Sequence, residues 1–136
     1  MSSQAGPLSL LGKAELALRV WQTYARVRAG LKREPLSDVV KGLAPPHSLR
    51  PERHSPPRLS RAVDRSLRIG GRRPPCLVKS LVLFHLLRSQ GDPAELVVGL
   101  PRTPAEHFAH AWVELHGVDV GPPPGRGGHL ELARFG

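Results

Sequence analysis

Cys76 is the chain's one cysteine, and it follows Pro74-Pro75 at the head of the apolar run CLVKSLVLFHLLRSQG. A helix opening there sets its sulfur among backbone N–H groups that the first turn leaves without intrahelical partners, at the positive end of the helix dipole. Such a setting stabilises a thiolate, and the same amides can receive an oxyanion during acyl transfer. A lone cysteine is equally a small hydrophobe of the kind that cores bury. The second candidate is His110, in AHAWVE. Small alanines on either side let a strand pack closely while the imidazole stands on the opposite face, toward a neighbouring helix. A thiol at a helix start and an imidazole on a facing strand make the thiolate–imidazolium pair of cysteine peptidases and other acyl-transfer enzymes. A strand histidine is also commonly an ordinary polar residue.

Other chemistries are harder to build. The chain contains no Asn, so a Cys-His-Asn site is excluded and any third member must be another residue. His107 and His110 form H-x-x-H, but residues three apart on a strand face opposite ways, and without a second cysteine a structural zinc site lacks ligands. No metal or cofactor is expected.

The elements that must position Cys76 and His110 follow from hydrophobic spacing. Leu11, Ala14, Leu18, Trp21 and Ala25 recur at three- and four-residue steps, which predicts a helix over 9–29, ending near Gly30, with that stripe on the core and a basic outer surface. Pro35 to Val40 reads as a short second helix with Ser37 as cap. Five prolines between Gly42 and Pro57 read as a linker. Leu59, Ala62, Val63 and Leu67 return to helical spacing over 58–69, stopped by Gly70-Gly71. The run from Cys76 to Gly91 is apolar on nearly every side and reads as a buried central helix. Strands are expected over 94–100, 108–115 and 118–120, the last two as a hairpin across His116-Gly117, with a short one over 129–134 after a Gly/Pro loop over 121–128.

Length and charge bound the rest. With 136 residues, 40% of them hydrophobic, the chain suits one compact domain, divided here into a helical segment and linker over 1–57 and a catalytic core over 58–136. The net charge of +9 is uneven: residues 1–75 carry 15 Lys/Arg against 5 Asp/Glu, and residues 76–136 carry 5 against 6. A basic front half implies an anionic partner. Only 4% of residues are aromatic, leaving little to stack on bases, so nucleic acid is not the expected partner. With no secretory signal, no membrane-spanning run and no possible intrachain disulfide, a reducing cytoplasm is expected. Sixteen of the 20 basic residues are Arg, a bias that GC-rich bacterial coding would give.

The run PPCLVKSLVLFHLLRSQGDPAELVVGL, followed by FAHAWVELHGVDVG, resembles the B protein of lasso peptide biosynthesis in its short split form, a branch of the transglutaminase-like superfamily. The matching positions are Cys76-Leu77 with Ser80-Leu81, then Gln90-Gly91 with Ala94, Leu96 and Gly99, then His110 to Glu114 with Gly117. The front segment WQTYARVRAGLKREPL is similar as well. The resemblance implies an α+β, papain-like cysteine-peptidase core with helices packed on a small antiparallel sheet. It implies removal of the leader from a ribosomally made precursor, with Cys76 as nucleophile and His110 as general base. It further implies a separate companion protein that recognises the leader, and a lasso cyclase acting downstream.

The family's Asp, about a dozen residues after the histidine, has no counterpart, because Gly121-Pro122-Pro123 stands there. Asp119 is the nearest acid. Across a two-residue turn it would pair with Glu114, about 13 Å along the strand from His110. Either a bulge re-aims Asp119, or Glu114, Glu131 or a backbone carbonyl orients the imidazole, or the orienter is missing. A missing orienter would favour a different function, an adaptor that presents the precursor without cutting it. The basic front half leaves a nucleic-acid-binding module as another alternative.

Overall fold

The structure is a computed structural model, described here for residues 10–45, 54–68, 74–100, 110–122 and 130–136. Among these residues the chain forms α1 (Leu10–Arg33), α2 (Leu36–Leu43), α3 (Pro56–Ser66) and α4 (Cys76–Ser89), followed by β1 (Glu95–Leu100), β2 (His110–Leu115), β3 (Val118–Gly121) and β4 (Leu130–Phe135). The strands make one antiparallel sheet in the order β3-β2-β1-β4. This is the α+β arrangement of helices on a small sheet that the sequence predicts.

The apolar run from Cys76 becomes the centre of the molecule. Val78, Leu81 to Phe84, Leu86 and Leu87 of α4 are all buried. Around them close Leu16, Val20 and Val27 of α1, Val39, Val40 and Leu43 of α2, Leu59 and Val63 of α3, and Leu96 and Val113 of the sheet. The helix ends where Gly91 adopts φ 95, with the Asp92 amide donating to the Leu87 carbonyl at 3.0 Å and the Gly91 amide to Arg88 at 3.1 Å. This pair of bonds satisfies two of the last carbonyls and turns the chain directly into β1.

Several expectations are corrected. The stripe of Leu11, Ala14, Leu18, Trp21 and Ala25 is exposed, Leu11 at 83% and Leu18 at 57%, and α1 instead buries Leu16, Val20, Thr23 and Val27. Both stripes have helical spacing; the buried one is largely β-branched and compact. Its one hydroxyl is satisfied locally, since Thr23 Oγ1 donates to the Arg19 carbonyl at 2.8 Å. The helix also runs through Gly30 to Arg33. One helical glycine costs only about 1 kcal/mol, whereas Pro35 lacks an N–H and disfavours helical backbone at Glu34.

At α2, Pro35 rather than Ser37 occupies the cap position, without a side-chain hydrogen bond. Helix α3 starts at Pro56 because Ser55 caps it, accepting from the Arg58 amide at 3.3 Å. The linker is therefore shorter at both ends than expected; residues 46–53, the Gly70-Gly71 stop and most of the Gly/Pro loop lie outside the described residues.

The β2–β3 hairpin turns at His116 and Gly117, with φ 53 and 79. This positive-φ pair suits the twist of a two-residue turn.

Candidate active site at the start of α4

Cys76 is the first residue of α4 and is half-buried. Pro75 precedes it, and no side chain caps this helix start, in contrast to α3. One turn further on, buried Ser80 donates its hydroxyl to the Ala111 carbonyl of β2 at 3.0 Å. Residues four apart share a helix face about 6 Å from one another, and neighbouring residues have Cα atoms about 3.8 Å apart. Cys76 thus stands one turn before the residue that bonds to Ala111, and half-buried His110 is the residue before Ala111. That bond gathers the N-terminal turns of α4 and the first residues of β2 into one junction.

The side of β2 that meets the helices differs from expectation. Val113, paired with Leu96, joins the helical core, so the face carrying Trp112 and Glu114 is the outer one. By the same alternation His110, the first residue of the strand, shares that outer face, which corrects the expectation that its imidazole stands toward a helix. Its partner across the ladder is Gly99. A side chain on Gly99 would meet the Leu130 carbonyl at 2.8 Å and the Trp112 ring at 2.9 Å, so glycine is required there to let Trp112 cover the strand next to His110.

A charged clasp fixes the other side of the helix start. Lys79 Nζ lies 2.7 Å from Asp64 Oδ1, and Arg68 also donates to Asp64, tying α3 to the first turn of α4. Burial opposes ionisation of Asp64, but Lys79 and Arg68 outweigh it and hold the carboxyl below its ordinary value.

Asp119 pairs with Glu114 across the hairpin, and a bulge then pairs Val113 with Gly121. Its Oδ1 accepts the Gly121 amide at 2.8 Å. The register therefore sets Asp119 four residues down β2 from the level of His110. Glu114 has both oxygens engaged, accepting from Trp112 Nε1 at 2.9 Å and from Arg134 at 3.0 Å. Glu131 pairs with Arg134 at 2.7 Å; this bond lowers the Glu131 carboxyl from its ordinary value and raises Arg134 from its own.

Sequence reasoning singled out Cys76 and His110 and counted Ser80 among the matching positions, but it missed the bond that Ser80 makes and it missed Asp64. A serine inside an otherwise apolar helix is a visible signal for a buried tether, while Lys79 lies 15 positions from Asp64 and leaves no local trace, unlike Arg68 at four. Among the described residues no group of three potential ligands could hold a metal ion, and no helix is long and apolar enough to cross a membrane.

Cys76 opens the buried helix, and His110 opens the antiparallel strand to which Ser80 of that helix bonds. The family model of the transglutaminase-like superfamily matches residues 19–131, and the chain belongs to that superfamily, which commonly includes cysteine peptidases and transferases. No curated protein and no solved structure matches the chain.

Proposed function

We propose that this chain is a cysteine peptidase that removes the leader from a ribosomally made lasso peptide precursor. The reading is supported by the sequence resemblance described above and by the Ser80–Ala111 bond between the helix that Cys76 opens and the strand that His110 opens. In the proposed reaction the Cys76 thiolate attacks the scissile carbonyl, and backbone N–H groups at the start of α4 receive the oxyanion. His110 protonates the leaving amine and then activates the water that releases the acyl-enzyme. Asp119, four residues along the strand pairing from His110, takes no part in this step, its carboxylate holding the Gly121 amide at the β2–β3 bulge. A companion protein delivers the leader, and the freed core passes to a cyclase.

The test is to incubate the chain with the companion and the precursor and to weigh the products. Intact leader should appear, and Cys76→Ala should abolish it. Release that persists in Cys76→Ala would remove Cys76 from the mechanism. Bound but uncut precursor with the unmutated chain would replace the peptidase by an adaptor.

A further inference from the structure

The stripe of Leu11, Ala14, Leu18, Trp21 and Ala25 that α1 turns outward has an order of its own. Its steps alternate between three and four residues, and the same alternation continues to Arg28 and Lys32, both exposed. That is the repeat of about 3.5 residues with which one helix meets another along a shared seam. The apolar part of the seam runs about 21 Å along the axis. Leu18 and Trp21 stand between Ala14 and Ala25, whose small side chains let a second helix approach closely on either side. Joined apolar residues on an open surface mark a place of contact rather than the ordinary scatter of single exposed leucines.

The centre of the seam is held in place by its neighbours. The rings of Trp21 and Tyr24 meet edge to face, 5.6 Å between centroids and 84° between planes. Arg28 lies over the other aromatic, its guanidinium 5.7 Å from the Tyr24 centroid and donating to the Tyr24 hydroxyl at 3.0 Å. Tyr24 is uncharged, so these contacts order the cation and leave its charge in place. Trp, Tyr and Arg are the side chains most enriched where interfaces concentrate their binding energy, and ordering them beforehand lowers the cost of association. Charge then selects the occupant. Helix α1 carries Lys13, Arg19, Arg26, Arg28, Lys32 and Arg33 against Glu15 alone, and a second copy of the chain would bring another +9 to the same face. A lipid surface binds in proportion to the apolar area it covers, and Ala14 and Ala25 offer little. A partner helix with apolar residues against the front of the seam and carboxylates against Arg28 and Lys32 meets both demands.

We propose that the outer face of α1 docks an amphipathic, acidic helix of another protein, its apolar side on Leu11, Leu18 and Trp21 and its carboxylates on Arg28 and Lys32. The surface lies opposite the core side of α1 and stands whether or not the chain is a peptidase. To test it, the full chain is titrated with two labelled helical peptides that share one leucine seam, the first flanked by glutamates and the second by lysines, following peptide anisotropy and tryptophan emission. The glutamate peptide should bind saturably and the lysine peptide should not. Emission should shift to the blue as Trp21 loses water, since Trp21 is 38% exposed and Trp112 only 3%. Trp21→Ala should weaken binding about tenfold or more, the loss expected at the centre of an interface. Leu18→Gln should weaken it too while leaving the thermal midpoint unchanged, which separates lost docking from lost folding. The proposal is overturned if the glutamate peptide fails to saturate, or if both variants bind it as the unmutated chain does. Binding to phosphatidylglycerol vesicles without peptide binding would overturn it in favour of a lipid surface, and a dimer that Leu18→Gln dissolves would overturn it in favour of a second copy.

Discussion

Helices α1 and α4 pack against one another, yet they meet solvent in opposite ways. α4 buries nine of its 14 residues and is enclosed by three helices and the sheet, whereas α1 buries four of 24 and leaves a second apolar stripe outside. In α4 every reading of the pattern leads inside, so hydrophobicity alone decides its place. In α1 two stripes compete, and the choice falls to the one whose compact side chains fit the neighbouring helix. Apolar spacing therefore predicts that a helix forms more securely than it predicts which side is buried.

Substitutions can break or sharpen this contrast. The largest effect should come from Leu83→Ala at the fully buried centre of α4, which removes a methylene cluster and leaves a cavity costing about 2–5 kcal/mol; urea unfolding reads it, and a loss near zero would contradict the enclosed position. Ser80→Ala comes next. It orphans the Ala111 carbonyl and should cost about 1–3 kcal/mol, with slower leader release in the product assay because the helix start is no longer tethered to β2. Unfolding and turnover that both stay unchanged would remove the tether from the account.

Asp64→Asn should cost on the order of 1 kcal/mol at neutral pH and should also reshape the acid limb of stability. The folded-state carboxyl lies below its ordinary value of 3.8, so its contribution is fully present above that value and is lost as pH falls through the lower folded one. The variant should therefore lose less stability on acidification than the parent, and parallel acid limbs would show that the clasp with Lys79 and Arg68 contributes nothing. The smallest effect belongs to Leu18→Gln on the outer stripe of α1, within about 0.5 kcal/mol of zero. A loss as large as that of a core residue would put this stripe back inside.

The positions of the two candidate residues at element starts were legible for the same reason as α4. A cysteine after two prolines at the head of an apolar run is a local signal, as is a histidine opening an Ala-Trp-Val-Glu strand, and both residues are found at element starts. The hairpin was legible too, because His116-Gly117 answers to turn geometry within four residues. The bulge that pairs Val113 with Gly121 was one of several options the sequence left open. The clasp of Asp64 on Lys79 and the engagement of Glu114 by Arg134 could not be read at all, since their partners come from distant positions.

By itself the sequence determined the order of helices and strands and the largely buried run from Val78 to Leu87, because these depend on spacing, turn chemistry and neighbours along the chain. Only the tertiary structure decided which stripe of α1 faces the core, which face of β2 meets the helices, and that Ser80 joins α4 to Ala111. Those outcomes depend on shape and hydrogen-bond partners supplied by other elements, and a linear pattern carries no record of what a side chain will meet.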